Sequence, residues 1–137
     1  MVSHITAATM FESMLLADPS FAPRWAAFCT EWADETDPPL YLALSSLAEH
    51  ILDCLGAGRT ERFESVFAVV ERWHVEGDLY VAEAASIGLL ESLQNLAGGN
   101  RPRPATVEQW LGPESRRWWD KLDRYWAGNG RARSTPD

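Results

Sequence analysis

The sequence predicts an all-α fold, a compact antiparallel bundle of five main helices with a short C-terminal helical extension. Three observations predict it. Apolar residues recur at three- and four-residue spacing along most of the chain, Pro and Gly punctuate those segments where helices begin and end, and no run alternates as a half-buried strand would. At 137 residues the chain is of single-domain length. A chain of that size buries about two thirds of its unfolded surface, so its core needs neither metal nor disulfide to close.

The first helix is expected over about 6–17, with Met10, Met14 and Ala17 on one stripe and Phe11 and Leu15 beside it. Asp18-Pro19 stops it, because the residue before proline is pushed out of the helical region. The second, over 21–35, spaces Trp25, Phe28 and Trp32 at i, i+3, i+7. The third opens with Asp37 as N-cap and Pro38 at the first helical position. Its stripe is Leu40, Leu44, Leu47, Ile51 and Leu55, and Gly-Ala-Gly at 56–58 ends it. Thr60 is expected to cap the fourth helix, which repeats Phe63, Phe67, Val70 and Trp73 and closes at Gly77. Asp78 then caps the fifth, over 79–96, where Ala82, Ala85, Ser86, Leu89, Leu93 and Leu96 line one side; its many small residues mark it as the central buried helix. Segments three to five also admit stacking as an α-solenoid fragment, although no repeated sequence requires it.

These segments form an acidic body over 1–97. "GGNRPRP" at 98–104 reads as a linker, and residues 104–127 form Trp-rich C-terminal helices. Thr106 caps a short helix there, and a last helix over 113–127 places Trp118, Leu122 and Tyr125 on one face with Trp119 and Trp126 flanking it. Residues 1–127 are thus read as one domain, with 128–137 a disordered tail. No run of about 18 apolar residues predicts a membrane span. The N-terminus lacks a basic leader and carries Glu12 within its apolar part, so no secretory signal is expected. A cytoplasmic protein follows, with Cys29 and Cys54 as buried thiols in a reducing compartment.

The formal charge of −8 is unevenly spread. Residues 1–100 hold 4 arginines against 15 acids, whereas residues 101–137 hold 8 basic residues against 5 acids. An acidic body repels nucleic acid and anionic membranes and attracts basic proteins at long range. Its densest part is "TEWADETDPPLY" at 30–41, where Glu31, Asp34, Glu35 and Asp37 stand beside Trp32 with no Lys or Arg. Capping accounts for Asp37. Asp34 and Glu35 are expected at the negative end of the second helix's dipole, where a carboxylate costs a few tenths of a kcal/mol. Locally unfavourable charges of that kind tend to mark function. Tyr41, Glu49 and Asp53 extend the patch along the third helix, and Glu76, Asp78, Tyr80, Glu83 and Glu91 extend it along the turn into the fifth. Tyrosine among carboxylates suits a protein interface, since its ring supplies area at low entropy cost and its hydroxyl tolerates water.

Chemistry is harder to find. Glu71 and His74 have the i, i+3 spacing of carboxylate-bridged metal sites in helical bundles, but such sites need a second pair that the sequence does not supply. No G-x-S-x-G is present, and neither cysteine is expected to meet a histidine. "LGAGRT" and "LAGGN" follow helices and lack the phosphate-loop lysine, so they read as caps. The Arg- and Trp-rich C-terminus has the composition of single-strand binders, but its helical stripe argues for packing on the body.

"LAEHILDCLGAG", "VFAVVERWHVEGD" and "YVAEAASIGLLESLQN" together resemble a bacterial family of small, uncharacterised all-helical proteins, often encoded beside polymorphic or contact-delivered toxins. The resemblance implies an immunity role and brings no catalytic residues. Combined with the charge pattern, it gives the expectation of a non-enzymatic protein without cofactor or metal that occludes a toxin basic at its contact surface, with no membrane, nucleic-acid or small-molecule partner. The expected contact residues are Glu31, Asp34, Glu35, Asp37, Tyr41, Glu49, Asp53, Glu76, Asp78, Tyr80, Glu83 and Glu91. The alternatives are a helical adaptor domain with another protein partner and a metal-dependent enzyme centred on Glu71 and His74.

Overall fold

The computed structural model describes residues 5–96 and 104–125, the side chains of 104–106 excepted. The expected linker over 98–103, the side-chain cap at Thr106, Trp126 and the tail at 128–137 lie outside the described residues. The helices are α1 (Met10–Ala17), α2 (Ala22–Glu31, entered through a 3-10 turn at Pro19–Phe21), α3 (Leu40–Gly56), α4 (Phe63–Glu76), α5 over 79–96, and α6 (Pro113–Tyr125) behind a 3-10 segment, Pro104–Trp110. Within α5, Leu79–Glu83 and Glu91–Leu96 are α-helical and Ala84–Leu90 between them is π-helical. No strand occurs among the described residues; one parallel bridge ties Ile5 to Gly77. The all-α class is as expected. No described helix is long and apolar enough to cross a membrane.

Helix α5 lies between α3 and α4, while α1 packs on α4, α2 on α3, and α6 on α4 and α5. The order across the core is therefore α3–α5–α4, and consecutive helices do not stack as a solenoid would. The interior follows the expected stripes: Leu44, Leu47 and Ile51 of α3, Phe63, Phe67, Val70 and Trp73 of α4, and Ala85, Leu89 and Leu93 of α5 are buried. Trp73 is wholly buried, and its indole N–H donates to the Met10 carbonyl at 3.1 Å, which holds α1 on α4. Helix α3 ends in a Schellman motif: Gly58 takes φ +75°, its N–H donates to the Leu55 carbonyl, and the Arg59 N–H donates to that of Cys54. Asp78 caps α5 as expected, accepting from the Val81 N–H at 2.9 Å.

Four expectations need correction. Asp37 does not cap α3, which starts at Leu40 with Pro39 in the cap position and no side-chain cap bond. Because each residue before a proline is steered to extended backbone, Pro38 cannot be helical ahead of Pro39, and the helix start moves past both. Helix α2 ends at Glu31, so Asp34 and Glu35 lie in the following turn, beyond the last helical turn where the dipole argument was set. Thr60 does not cap α4 with its side chain; Arg62 holds the cap position, and the Phe63 N–H donates to the Thr60 carbonyl. In α6 the buried residues are Ser115, Trp119 and Leu122, so Tyr125 points outward and Trp118 is half-buried.

Candidate partner-binding surface

The acidic turn after α2 sits on the rim of a cleft. Phe11 and Leu15 of α1, Trp25, Phe28, Cys29 and Trp32 of α2, and the turn carrying Glu35, Asp37 and Pro38 enclose about 540 Å³. Phe11 and Phe28 are buried at its base, Trp25 and Trp32 are half-buried on its walls, and Glu12, Glu35 and Asp37 are exposed around its mouth. The floor is braced. Phe11 stacks on Trp25 with centroids 4.3 Å apart and meets the buried Trp73 edge-on at 5.8 Å, while Trp25 stacks on Phe28 at 5.5 Å.

Asp37 joins this cleft to a second feature. Tyr41, in the first turn of α3, meets Tyr80 of α5 edge-on at 6.1 Å. Burial raises the pKa of both phenols, with Glu83 adding to the effect at Tyr41, and Asp37 and Glu83 adding to it at Tyr80. Asp37, Tyr41, Tyr80 and Glu83 are thus brought together. Ile87 extends their surface one turn along α5 with two fifths of its area exposed.

Other expected contact residues serve the fold. Glu49 and Asp53 each pair with Arg24 of α2 at 3.2 Å, which clamps α2 to α3. Glu76 pairs with Arg72 at 3.2 Å, and Asp78 is spent on its cap. Glu31 is exposed as the last residue of α2, Asp34 is exposed in the turn, and Glu91 is half-buried on α5. The sequence reading missed Phe11, Glu12, Phe28 and Cys29 as parts of a surface. Only the i, i+3, i+7 spacing of α2's aromatics hinted at the cleft, and that spacing equally describes a core stripe. Cys29 is exposed, against expectation, while Cys54 is buried.

The sites considered for chemistry have other uses. Both Glu71 carboxylate oxygens accept backbone N–H bonds, from Glu114 and Ser115 at 2.9 Å, so Glu71 of α4 caps the N-terminus of α6. Gly112 permits this approach, since a Cβ there would lie 2.5 Å from a Glu71 oxygen. His74 is left with both ring nitrogens buried and unpartnered; burial lowers its pKa against the pull of Glu71 and Glu114. No group of three or more His, Cys, Asp or Glu among the described residues is arranged to hold a metal ion.

His50 lies one helical turn before Cys54, and their Nε2 and Sγ atoms are 3.7 Å apart, contrary to the expectation that no cysteine meets a histidine. The same Nε2 meets Asp18 at 3.1 Å and Ser20 at 3.0 Å. In a Ser-His-Asp relay the hydroxyl and carboxylate engage opposite ring nitrogens. Here they share one, and burial pushes the Cys54 thiol up, so the cluster acts as a polar staple between the α1–α2 turn and α3. At Asp18 burial alone would raise the pKa, but hydrogen bonds from Ser20 and His50 prevail and hold it low. On α6, Arg116 pairs with Glu108 and Asp120, Arg117 with Glu114, and Arg117 and Lys121 lie over the Trp118 ring.

A family model matches residues 11–127, which covers α1 to α6 and therefore both the cleft and the tyrosine pair. The chain belongs to the DUF7674 family, a domain of unknown function. No curated protein and no solved structure matches this DUF7674 chain.

Proposed function

We propose that this DUF7674 protein is an immunity protein, which binds a cognate bacterial toxin and covers it without performing chemistry of its own. It acts in the cytoplasm, where the toxin's target would be. The observation that carries the reading is the placement of the unneutralised acids of the 34–37 turn between an aromatic cleft and the Tyr41–Tyr80 pair. Carboxylates of this kind steer a basic partner and set its orientation, while a few aromatic anchors supply most of the affinity. A toxin acting on nucleic acid or a nucleotide offers the complementary basic cleft. The resemblance of the α3–α5 sequence to toxin-associated helical proteins supports the same reading.

Co-purification with the product of the adjacent upstream gene, and protection of cells expressing that product, test the role. Failure of both defeats it. With the complex in hand, Asp34→Lys together with Glu35→Lys is expected to slow association about tenfold at low salt and to flatten its salt dependence. Unchanged kinetics would remove the turn from the interface.

A further inference from the structure

The cleft between α1, α2 and the 34–37 turn is chemically polarised. Its base and walls are Phe11, Phe28, Trp25 and Trp32, its mouth carries Glu12, Glu35 and Asp37, and no Lys, Arg or His lines it. Among the described residues no cation pairs with these three carboxylates, in contrast to Glu49, Asp53 and Glu76. Sites for neutral small molecules place a few polar groups deep among apolar walls, where they fix orientation. Here the depth is aromatic and the charge is peripheral. That arrangement suits a group with a flat cationic head and an aliphatic stem, able to lie against indole faces while its N–H groups reach carboxylates.

Guanidinium fits better than ammonium. It is planar, more weakly hydrated, stacks on aromatic faces and bonds carboxylates in a two-pronged geometry. The volume, about 540 Å³, exceeds what one side chain fills, so an arginine would enter together with flanking residues of its own chain. We infer that the cleft receives an arginine side chain presented by a segment of the partner protein, with Trp25 and Trp32 flanking the guanidinium and Glu35 and Asp37 closing on it. This deepens the proposed function and rests on it for the identity of the partner, but the chemistry of the cleft is testable alone.

Cys29 provides the handle, being exposed on the cleft lining while Cys54 is buried. In the full chain, the Trp indole N–H signals are followed by NMR as N-acetyl-arginine methylamide is added. The citrulline and lysine analogues and tetramethylammonium are run in parallel. Arginine is expected to shift Trp25 and Trp32 selectively, citrulline at least tenfold less strongly, and lysine in between. Glu35→Gln with Asp37→Asn, which removes charge and no packing, is expected to weaken the arginine response about tenfold, and alkylation of Cys29 by a bulky maleimide to abolish it.

Equal responses to arginine and citrulline, or shifts spread over all the indoles, overturn the inference. Tighter binding of tetramethylammonium overturns it in favour of a small-cation site. If arginine leaves Trp25 and Trp32 unmoved while Asp34→Lys still slows association with the purified partner, the cleft assignment falls and the immunity reading stands. If arginine binds but no toxin partner is found by co-purification or protection, the immunity reading falls and the arginine assignment goes with it in respect of the partner.

Discussion

The two sides of α2 present acids of the same kind in opposite circumstances. Toward α3, Glu49 and Asp53 converge on Arg24 and their charge is answered within the molecule. Toward the cleft, Glu12, Glu35 and Asp37 surround indole and phenyl rings with no cation among them. The same division runs through the chain: Asp18, Glu71 and Asp78 each accept hydrogen bonds that set the position of an element, while the acids of the 34–37 turn accept none that the fold requires. Density of negative charge along the sequence therefore says little by itself. What separates a structural carboxylate from an available one is whether a donor from another element reaches it.

Removing what lies beneath the cleft should have the largest effect. Trp73→Ala deletes a wholly buried ring, the N–H bond to Met10 and the brace under Phe11, and is expected to cost about 3–5 kcal/mol, measured by urea unfolding. A smaller value would mean that the front of the molecule does not depend on the core. Glu71→Ala frees two backbone donors of α6 and is expected to cost about 1–2 kcal/mol. Amide exchange at Glu114 and Ser115 should accelerate with it, and unchanged protection there would return Glu71 to the available class.

Acid should act through His74 and Asp18, whose folded pKa values both lie below their ordinary ones. For each, the unfolded chain takes up the proton first, so the stabilisation is complete above the ordinary value and is lost as pH falls through the folded one. The loss from His74 begins below about 6.5 and that from Asp18 below about 3.8. His74→Leu is expected to flatten the stability profile between pH 7 and 5, and Asp18→Asn the limb below pH 4. A His74→Leu profile parallel to the parent would show that another group titrates there. The smallest effect belongs to the cleft rim: Glu35→Gln with Asp37→Asn should change stability by no more than about 0.5 kcal/mol, as expected of surface groups that hold nothing. A clear loss would place those acids with Glu71.

The class of fold was legible because helical spacing records burial directly: Leu44, Leu47 and Ile51, or Phe63, Phe67 and Val70, can share an interior only on a helix. Helix starts were less legible. At 37–39 a capping preference competed with the pre-proline restriction, and the steric rule prevailed. In α6, Trp118 and Trp119 are equally apolar, and only tertiary contact chose Trp119: its indole N–H reaches Glu108 at 3.1 Å while Trp118 takes cations on its face. The candidate surface was half legible. The acidic turn and Tyr80 could be named from sequence, but the cleft needs α1 beside α2, and nothing along the chain announces that Phe11 will stack on Trp25. Equally hidden was Arg24, which reaches 25 and 29 residues ahead to Glu49 and Asp53.

The π segment of α5 governs how this chain can change length. Each α-helical residue turns the side-chain direction by about 100°. A wide turn takes in a surplus residue without passing that rotation on, which is how Ile87 stays outward while Leu93 stays inside. Excising one residue between 84 and 90 would restore regular winding and swing everything beyond it, pulling Leu93 out of the interior and Gln94 away from the Trp119 carbonyl it reaches at 3.2 Å. The centre of α5 should therefore accept many exchanges of side chain on its outer face and no change in residue number.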